Sequence, residues 1–399
     1  MNFSVFSRNV MLFLFLSSFN LIAQDAAKHK GYIFKTESEV KVTPVKNQFR
    51  SGTCWSFCTV SFLESEILRL GGPEYDLSEM WSVRHSYEDK AARYVRMHGK
   101  MNFGGGGATN DVTDVFRKYG YVPEQAYGGL TIGEDKHVHG EMDNVLKEYI
   151  DGVVENKNRK LTPVWDEGLD GILDAYLGVK PESFEYEGET YTPESFAASL
   201  PININDYVLI SSFTHHPFYE QFIMEVPDNW SWGMMYNLPL DEMMEVMVHS
   251  LEEGYSISWA SDVSEKGFSW TNGIAIVPDA EKPDLSGTER ERWEKLTDSE
   301  KASELYSFDE PVAEKSISQE MRQEAFDNYS TTDDHGMHIT GLAVDQEGTR
   351  FFKVKNSWGT SNPFDGYLYA SDAFVRYKTI SIMVHKDAIP KNIRQKLAL

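Results

Sequence analysis

Residues 48–72 read QFRSGTCWSFCTVSFLESEILRLGG. From Cys54 onward the stretch is helix-prone and apolar on most sides, and Gly71 and Gly72 stop it. A helix apolar all round is buried, here through the middle of a lobe. A thiol at the start of such a helix feels the helix dipole and the exposed N–H groups, which favour thiolate. Cys58 lies one turn further in and reads as core packing.

These are the only two cysteines in 399 residues. Four apart on a helix they share a face, but neighbouring turns rarely offer disulfide geometry. The N-terminus makes this informative. Arg8 precedes an apolar run at 10–15 that continues weakly to Ala23, a small residue at a plausible cut before Gln24. That is a signal-peptide pattern, so residues 1–23 are expected to be removed and the protein exported, periplasmic or secreted. The run is shorter than the roughly 20 residues a membrane span needs. No cysteine precedes Cys54, which excludes lipidation at this signal, and no other segment is apolar enough to cross a membrane. A free thiol in an exported chain invites a reactive role.

With 41% hydrophobic and 25% charged residues the chain can build a sizeable core. Its net charge of −24 argues against nucleic-acid binding, which needs clustered Lys and Arg. Helical spacing is expected at 77–98, 110–119, through most of 141–178, and at 240–253. A glycine run at 104–107 must be a loop. Strands are expected at 207–213, 255–260, 339–344, 350–356, 367–369 and 379–385, and a charged, exposed excursion at 278–307. Helices early and strands late suggest α+β with two lobes.

Two later segments complete the chemistry of the first. His335–Gly336–Met337 offers a base, and Asn356–Ser357–Trp358–Gly359 an amide to hold it. Histidine can take the thiol proton, and an asparagine oxygen can fix the imidazole tautomer. Gln48 with the Cys54 N–H can bind an oxyanion. The set resembles the papain-like cysteine peptidases, and more closely the bleomycin hydrolase/aminopeptidase C branch. Gln48, Gly52, Cys54 and Trp55 form the signature, with Ser51 where disulfide-bonded relatives carry cysteine. Further similarity runs through Leu77–Ser78, Lys118–Tyr119–Gly120, Tyr176–Leu177–Gly178, Thr192–Pro193–Glu194 and Asp262–Val263.

His335 and His338 are an odd number of residues apart, so on a strand they face opposite ways and one alone can meet Cys54. The family pattern is His, a small residue, an apolar residue and a glycine six after the His. His335, Gly336, Met337 and Gly341 match it, which makes His335 the base. The resemblance further implies that Gly106 and Gly107 bind extended substrate through their backbone, and that Trp358 shields the His–Asn hydrogen bond. His137 with His139, and His215 with His216, lack metal-ligand spacing and read as surface or loop residues.

The expectation is therefore a papain-like α+β fold: a Cys-helix lobe (24–128), an enlarged helical insertion (129–255) and a β-rich lobe with His and Asn (256–399). Peptides are the expected substrates, with no cofactor, metal or nucleic acid. Aminopeptidase action is favoured, because the family lays its C-terminal tail in the cleft to pair with the substrate amine. Leu399 would supply that carboxylate, on a tail shorter than the family's. Endopeptidase action, acyl transfer and a silent peptide-binding homologue are the alternatives. The family implies homo-oligomers, typically hexamers.

Overall fold

The computed structural model describes residues 31–158, 160–280 and 287–399. The expected signal peptide, 1–23, lies outside them. The Cys54 helix, α1 (Cys54–Arg69), runs through the first lobe. Almost every side chain on it is buried, including Glu64 and Glu66. It is followed by α2 (Glu79–Arg96), α3 (Thr109–Tyr119), α4 (Gly140–Val154), α5 (Val164–Leu177) and α6 (Pro193–Ser199). Ser78 caps α2 through Trp81 N–H, and Thr192 caps α6 with Pro193 in its first turn. Their apolar faces close on α1 as one core around Val60, Phe62, Leu63, Val83, Leu146 and Leu173. Each such side chain contributes roughly 1.5–3 kcal/mol when fully buried.

The strands, in chain order, are β1 (Lys35–Glu39), the hairpin β2 (Phe184–Tyr186) and β3 (Glu189–Tyr191), β4 (Tyr207–Ser211), β5 (Gln221–Ile223), β6 (Met234–Asn237), β7 (Ile257–Ser261), β8 (Phe268–Ser269), β9 (Ile274–Ala275), β10 (His335–Val344), β11 (Arg350–Lys355), β12 (Tyr367–Ser371) and β13 (Thr379–His385). All but the hairpin join one sheet in the order β5-β6-β4-β13-β7-β10-β11-β12-β9-β8. The central strand β10 is shared: its first half pairs with β7, and its second half with β1. It is buried from His335 to Ala343, because α1 covers one face and α7 (Leu240–Glu252) lies across the other. Gly341 marks the register shift: a Cβ there would stand 2.4 Å from the Ser38 carbonyl. A second core, built from Met243, Met247, Trp259, Met337, Ile382 and their neighbours, fills the α7 side.

Two expectations change here. Residues 129–255 are only partly helical: the β2–β3 hairpin precedes α6, and after Ser199 the strands β4, β5 and β6 extend the main sheet at its edge before the chain turns helical again in α7. The charged 278–307 excursion carries α8 (Gly287–Lys295) and α9 (Asp298–Leu305), with Trp293 and Leu305 buried beneath an otherwise polar surface.

A polar knot locks α1 to its surroundings. Fully buried Glu64 accepts hydrogen bonds from Thr43 Oγ1 (2.5 Å) and Leu77 N–H (2.9 Å), and pairs with Lys46 (3.5 Å). Removing the carboxylate strands two buried donors. Glu64→Ala is expected to cost about 3 kcal/mol in urea unfolding, and Glu64→Gln distinctly less, since the amide oxygen still accepts. Equal losses would show that side-chain volume, rather than the acceptor, is what matters.

Candidate active site

Cys54 is the first residue of α1 and is half-buried. The helix end rests on β10 at Gly336, where a Cβ would lie 2.8 Å from Cys58 Sγ and 3.2–3.3 Å from the Trp55 and Cys54 backbone. Only a small residue allows that approach. Cys54 and His335 consequently line the same cleft.

His335 Nε2 lies 2.8 Å from Asn356 Oδ1, and Ser357 N–H reaches the same oxygen at 2.7 Å. Two donors converging on one atom require it to be the amide oxygen. Nε2 therefore carries the proton, leaving Nδ1 to accept one. The Trp358 ring lies 4.6 Å from the imidazole, centroid to centroid, and is itself flanked by Trp270 and Phe268. This aromatic cover keeps water from the His–Asn bond, which strengthens it.

Gln48 is tied to the Asn356 segment. Its N–H donates to Ser357 O (2.9 Å) and its Oε1 accepts from Ser357 Oγ (2.6 Å). Nε2 donates to Ser51 O at 2.8 Å, which occupies one of its two hydrogens. The other hydrogen has no partner among the described residues, and the N–H of Cys54, in the first turn of α1, has none within the helix.

Burial acts on the Cys–His couple in opposite senses. It raises the Cys54 thiol to about 12, with Asp333 and Asp228 adding to the rise and a backbone contact at Gly336 opposing it. It lowers His335 to about 4, against the pull of Asn356. Either group ionising alone leaves an uncompensated charge in a poorly hydrated wall. A proton moved from sulfur to imidazole instead leaves the pair neutral overall, with the thiolate at the α1 N-terminus.

Comparison with known proteins covers both halves of this site. The papain family cysteine protease model matches residues 33–124, which hold Gln48 and Cys54. The peptidase C1-like family model matches 286–398, which hold His335 and Asn356. The chain belongs to the papain-like cysteine peptidases. Aminopeptidase C from Lactobacillus delbrueckii subsp. lactis is 22% identical over 94% of this peptidase and 89% of its own length. Aminopeptidase C from Listeria monocytogenes is 23% identical, covering 89% and 83%. The solved structure of PepW from Lactobacillus rhamnosis superposes with a TM-score of 0.67 at 18% identity, covering 94% of this chain and 86% of that one.

The peptidase's two competing histidines do take opposite faces, though position along the strand separates them as much as parity does. Gly336 and His338 share the face under α1: His338 Nδ1 lies 2.9 Å from Ser61 Oγ, deep in the helix, and opposite Lys355 on β11. His335 stands at the first position of β10, level with the helix end. Burial, with Lys355 nearby, holds His338 well below the usual imidazole range.

Gly106 and Gly107 form a shelf beside Trp55, whose Nε1 donates to Gly105 O (2.9 Å). A Cβ on Gly107 would meet the Trp55 ring at 2.8 Å. The shelf's carbonyls are held by a residue that sequence patterning does not disclose: buried Lys90 of α2 donates to Gly104 O (2.8 Å) and Gly106 O. Asp111 fixes the turn after it by accepting from Ala108 N–H (3.0 Å).

The tail does not enter the cleft, a correction to its expected place. Helix α10 (Lys391–Lys396) buries Ile393 and, just past its end, Leu397 in the α7-side core, and His249 Nδ1 lies 2.9 Å from Ala388 O. Lys396 pairs with Glu242 (2.8 Å), and Leu399 is partly exposed beyond it. Two apolar anchors and an ion pair thus hold the end on the sheet face opposite α1. His215 and His216 both contact Glu225, at 3.1 and 2.7 Å, in a partly exposed cluster whose three side-chain atoms lie within 4.8 Å of one another.

His335→Ala is expected to lower kcat/KM by at least about a thousandfold, since it removes the proton acceptor. His338→Ala should cost stability through its lost Ser61 contact but leave more than about a tenth of the activity of the folded enzyme. Comparable kinetic losses in the two folded variants would overturn the assignment.

Proposed function

We propose that the protein is a cysteine aminopeptidase, with Cys54 as nucleophile, His335 as general base and acid, Asn356 as the residue that orients His335, and Gln48 as oxyanion donor. The observation that carries this is the 2.8 Å His335 Nε2–Asn356 Oδ1 bond in the cleft that Cys54 lines from the end of α1. The Cys54 proton passes to His335 Nδ1, and the thiolate attacks the scissile carbonyl carbon. The oxyanion is held by Cys54 N–H and Gln48 Nε2–H. Collapse breaks the C–N bond as His335 returns the proton to the leaving amine. Water then attacks the thioester, giving its proton to His335, and the acid departs as the thiol re-forms. Restriction to the N-terminal residue is carried over from relatives named aminopeptidase C, which resemble this chain over most of its length.

Cys54→Ala is expected to abolish hydrolysis, by roughly ten-thousandfold or more, without changing the unfolding midpoint, while Cys58→Ala stays active. An active Cys54→Ala beside a folded, inactive Cys58→Ala would reverse the assignment. Aminoacyl amides with a free amine should be cleaved, and their N-acetyl derivatives should not.

The same reading puts the peptidase outside the cytoplasm, on the strength of Arg8 and the apolar run at 10–15. N-terminal sequencing of protein from its native host should begin at Gln24. Recovery of residues 1–23 on cytoplasmic protein would refute export.

A further inference from the structure

With the tail packed elsewhere, the cleft needs another element to limit it to chain ends, and the 212–239 connection has the form of one. Between β5 and β6 it lays residues 224–233 over the glycine shelf. Trp230 Nε1 donates to Asp111 Oδ2 (2.6 Å), Asn110 Nδ2 to Ser231 Oγ (2.8 Å), and Arg93 Nη1 to Ser231 O (3.0 Å). Asn229 closes the strap on itself, donating to Met224 O (3.0 Å) and accepting from Gly233 N–H (2.8 Å). Met224, Val226, Asp228 and Met235 line the cleft together with Cys54 and His335.

Asp228 is the point of contact. A Cβ on Gly106 would stand 2.3 Å from its Oδ2, so the carboxylate lies directly on the glycine backbone. One oxygen accepts from Asn102 Nδ2 at 2.9 Å, which leaves the carboxylate room for further donors. An extended peptide along the shelf would have to run through the position Asp228 occupies. A substrate that ends there would present its ammonium group to it.

We infer that Asp228, held by the 224–233 strap, is the specificity-determining residue that receives the substrate α-ammonium and stops longer chains from extending along the shelf. This rests on the aminopeptidase reading and replaces the tail carboxylate by an internal one.

The surrounding charges agree. Asp333, two residues before His335, lines the same cleft and has no hydrogen bond among the described residues; burial, with Asp228 and Asp334 nearby, raises it to about 7. Burial raises Asp228 as well, opposed by Lys90 and by Asn102. Lys90, however, is already committed to the Gly104 and Gly106 carbonyls, and Asp111 and Asp143 face it too. Asp334 is occupied by Val263 N–H. The cleft therefore gains from a cation brought by the substrate. Since Asp228 and Asp333 both disfavour the Cys54 thiolate, an ammonium docked on them also eases ionisation of the nucleophile. A neutral, acetylated terminus supplies neither effect and leaves the carboxylates desolvated.

The test compares wild type, Asp228→Asn and Asp228→Ala on an aminoacyl-aminomethylcoumarin and its N-acetyl derivative. Asp228→Asn keeps shape and loses charge: kcat/KM on the free amine should fall about ten- to a hundredfold, mainly through KM, while the acetylated substrate holds or gains. Asp228→Ala should further open the shelf and raise cleavage of the acetylated substrate. Unfolding midpoints report whether the strap has stayed in place. If wild type prefers the free amine and both folded variants keep that preference, Asp228 is not the receptor although the aminopeptidase reading stands. If wild type cleaves both substrates equally, that reading fails and takes this one with it.

Discussion

The site depends on one close contact, the end of α1 lying on β10 at Gly336. Without a Cβ at 336, the helix backbone comes near enough to set Cys54 beside His335. Everything around the contact holds it closed. The helix is buried along nearly its whole length, and the strand is buried on both faces. The Glu64 knot fixes the helix from below. Nucleophile and base come from segments some 280 residues apart, so no local stretch of chain could set their separation. Packing of the whole first lobe against the sheet does so.

That dryness has an electrostatic consequence. Burial resists ionisation of Cys54 or of His335 alone, yet costs little when one proton passes between them. The fold adds fixed dipoles at each end of that transfer. The α1 N-terminus faces the sulfur, and the Asn356 oxygen faces the imidazole N–H. Trp358 keeps water from competing for the latter. The carboxylates of the strap side work against the thiolate until a cation arrives, which makes the substrate's own charge part of the electrostatics.

Much of this was legible because the chemistry sits in short boxes. Gln48, Cys54, His335 and Asn356 each lie in a segment whose neighbours are informative, and α1 announces itself by unbroken apolarity and terminal glycines. What escaped is made by tertiary contact. Strands of three and four residues at 221–223 and 234–237 carry too little alternation to be read, and they exist because a sheet edge receives them. β10 begins at His335, ahead of the strand pattern at 339–344, since His335, Gly336 and Met337 show no such pattern until β7 pairs with them. Lys90 looks like a solvated helix charge, yet its ammonium is turned into the glycine loop. The tail's place is not legible in sequence because its two anchors, Ile393 and Leu397, are spaced for a single helical turn that only the α7 surface stabilises.

The central claim is that Cys54 alone among the cysteines is an activated thiol. The most direct measurement is mass spectrometry of the intact protein after treatment with an epoxysuccinyl thiol inhibitor, followed by peptide mapping. One adduct per chain is expected, on Cys54, with Cys58 unmodified and with labelling slowed strongly in His335→Ala. Labelling of Cys58 in preference to Cys54, or equal rates with and without His335, would contradict it.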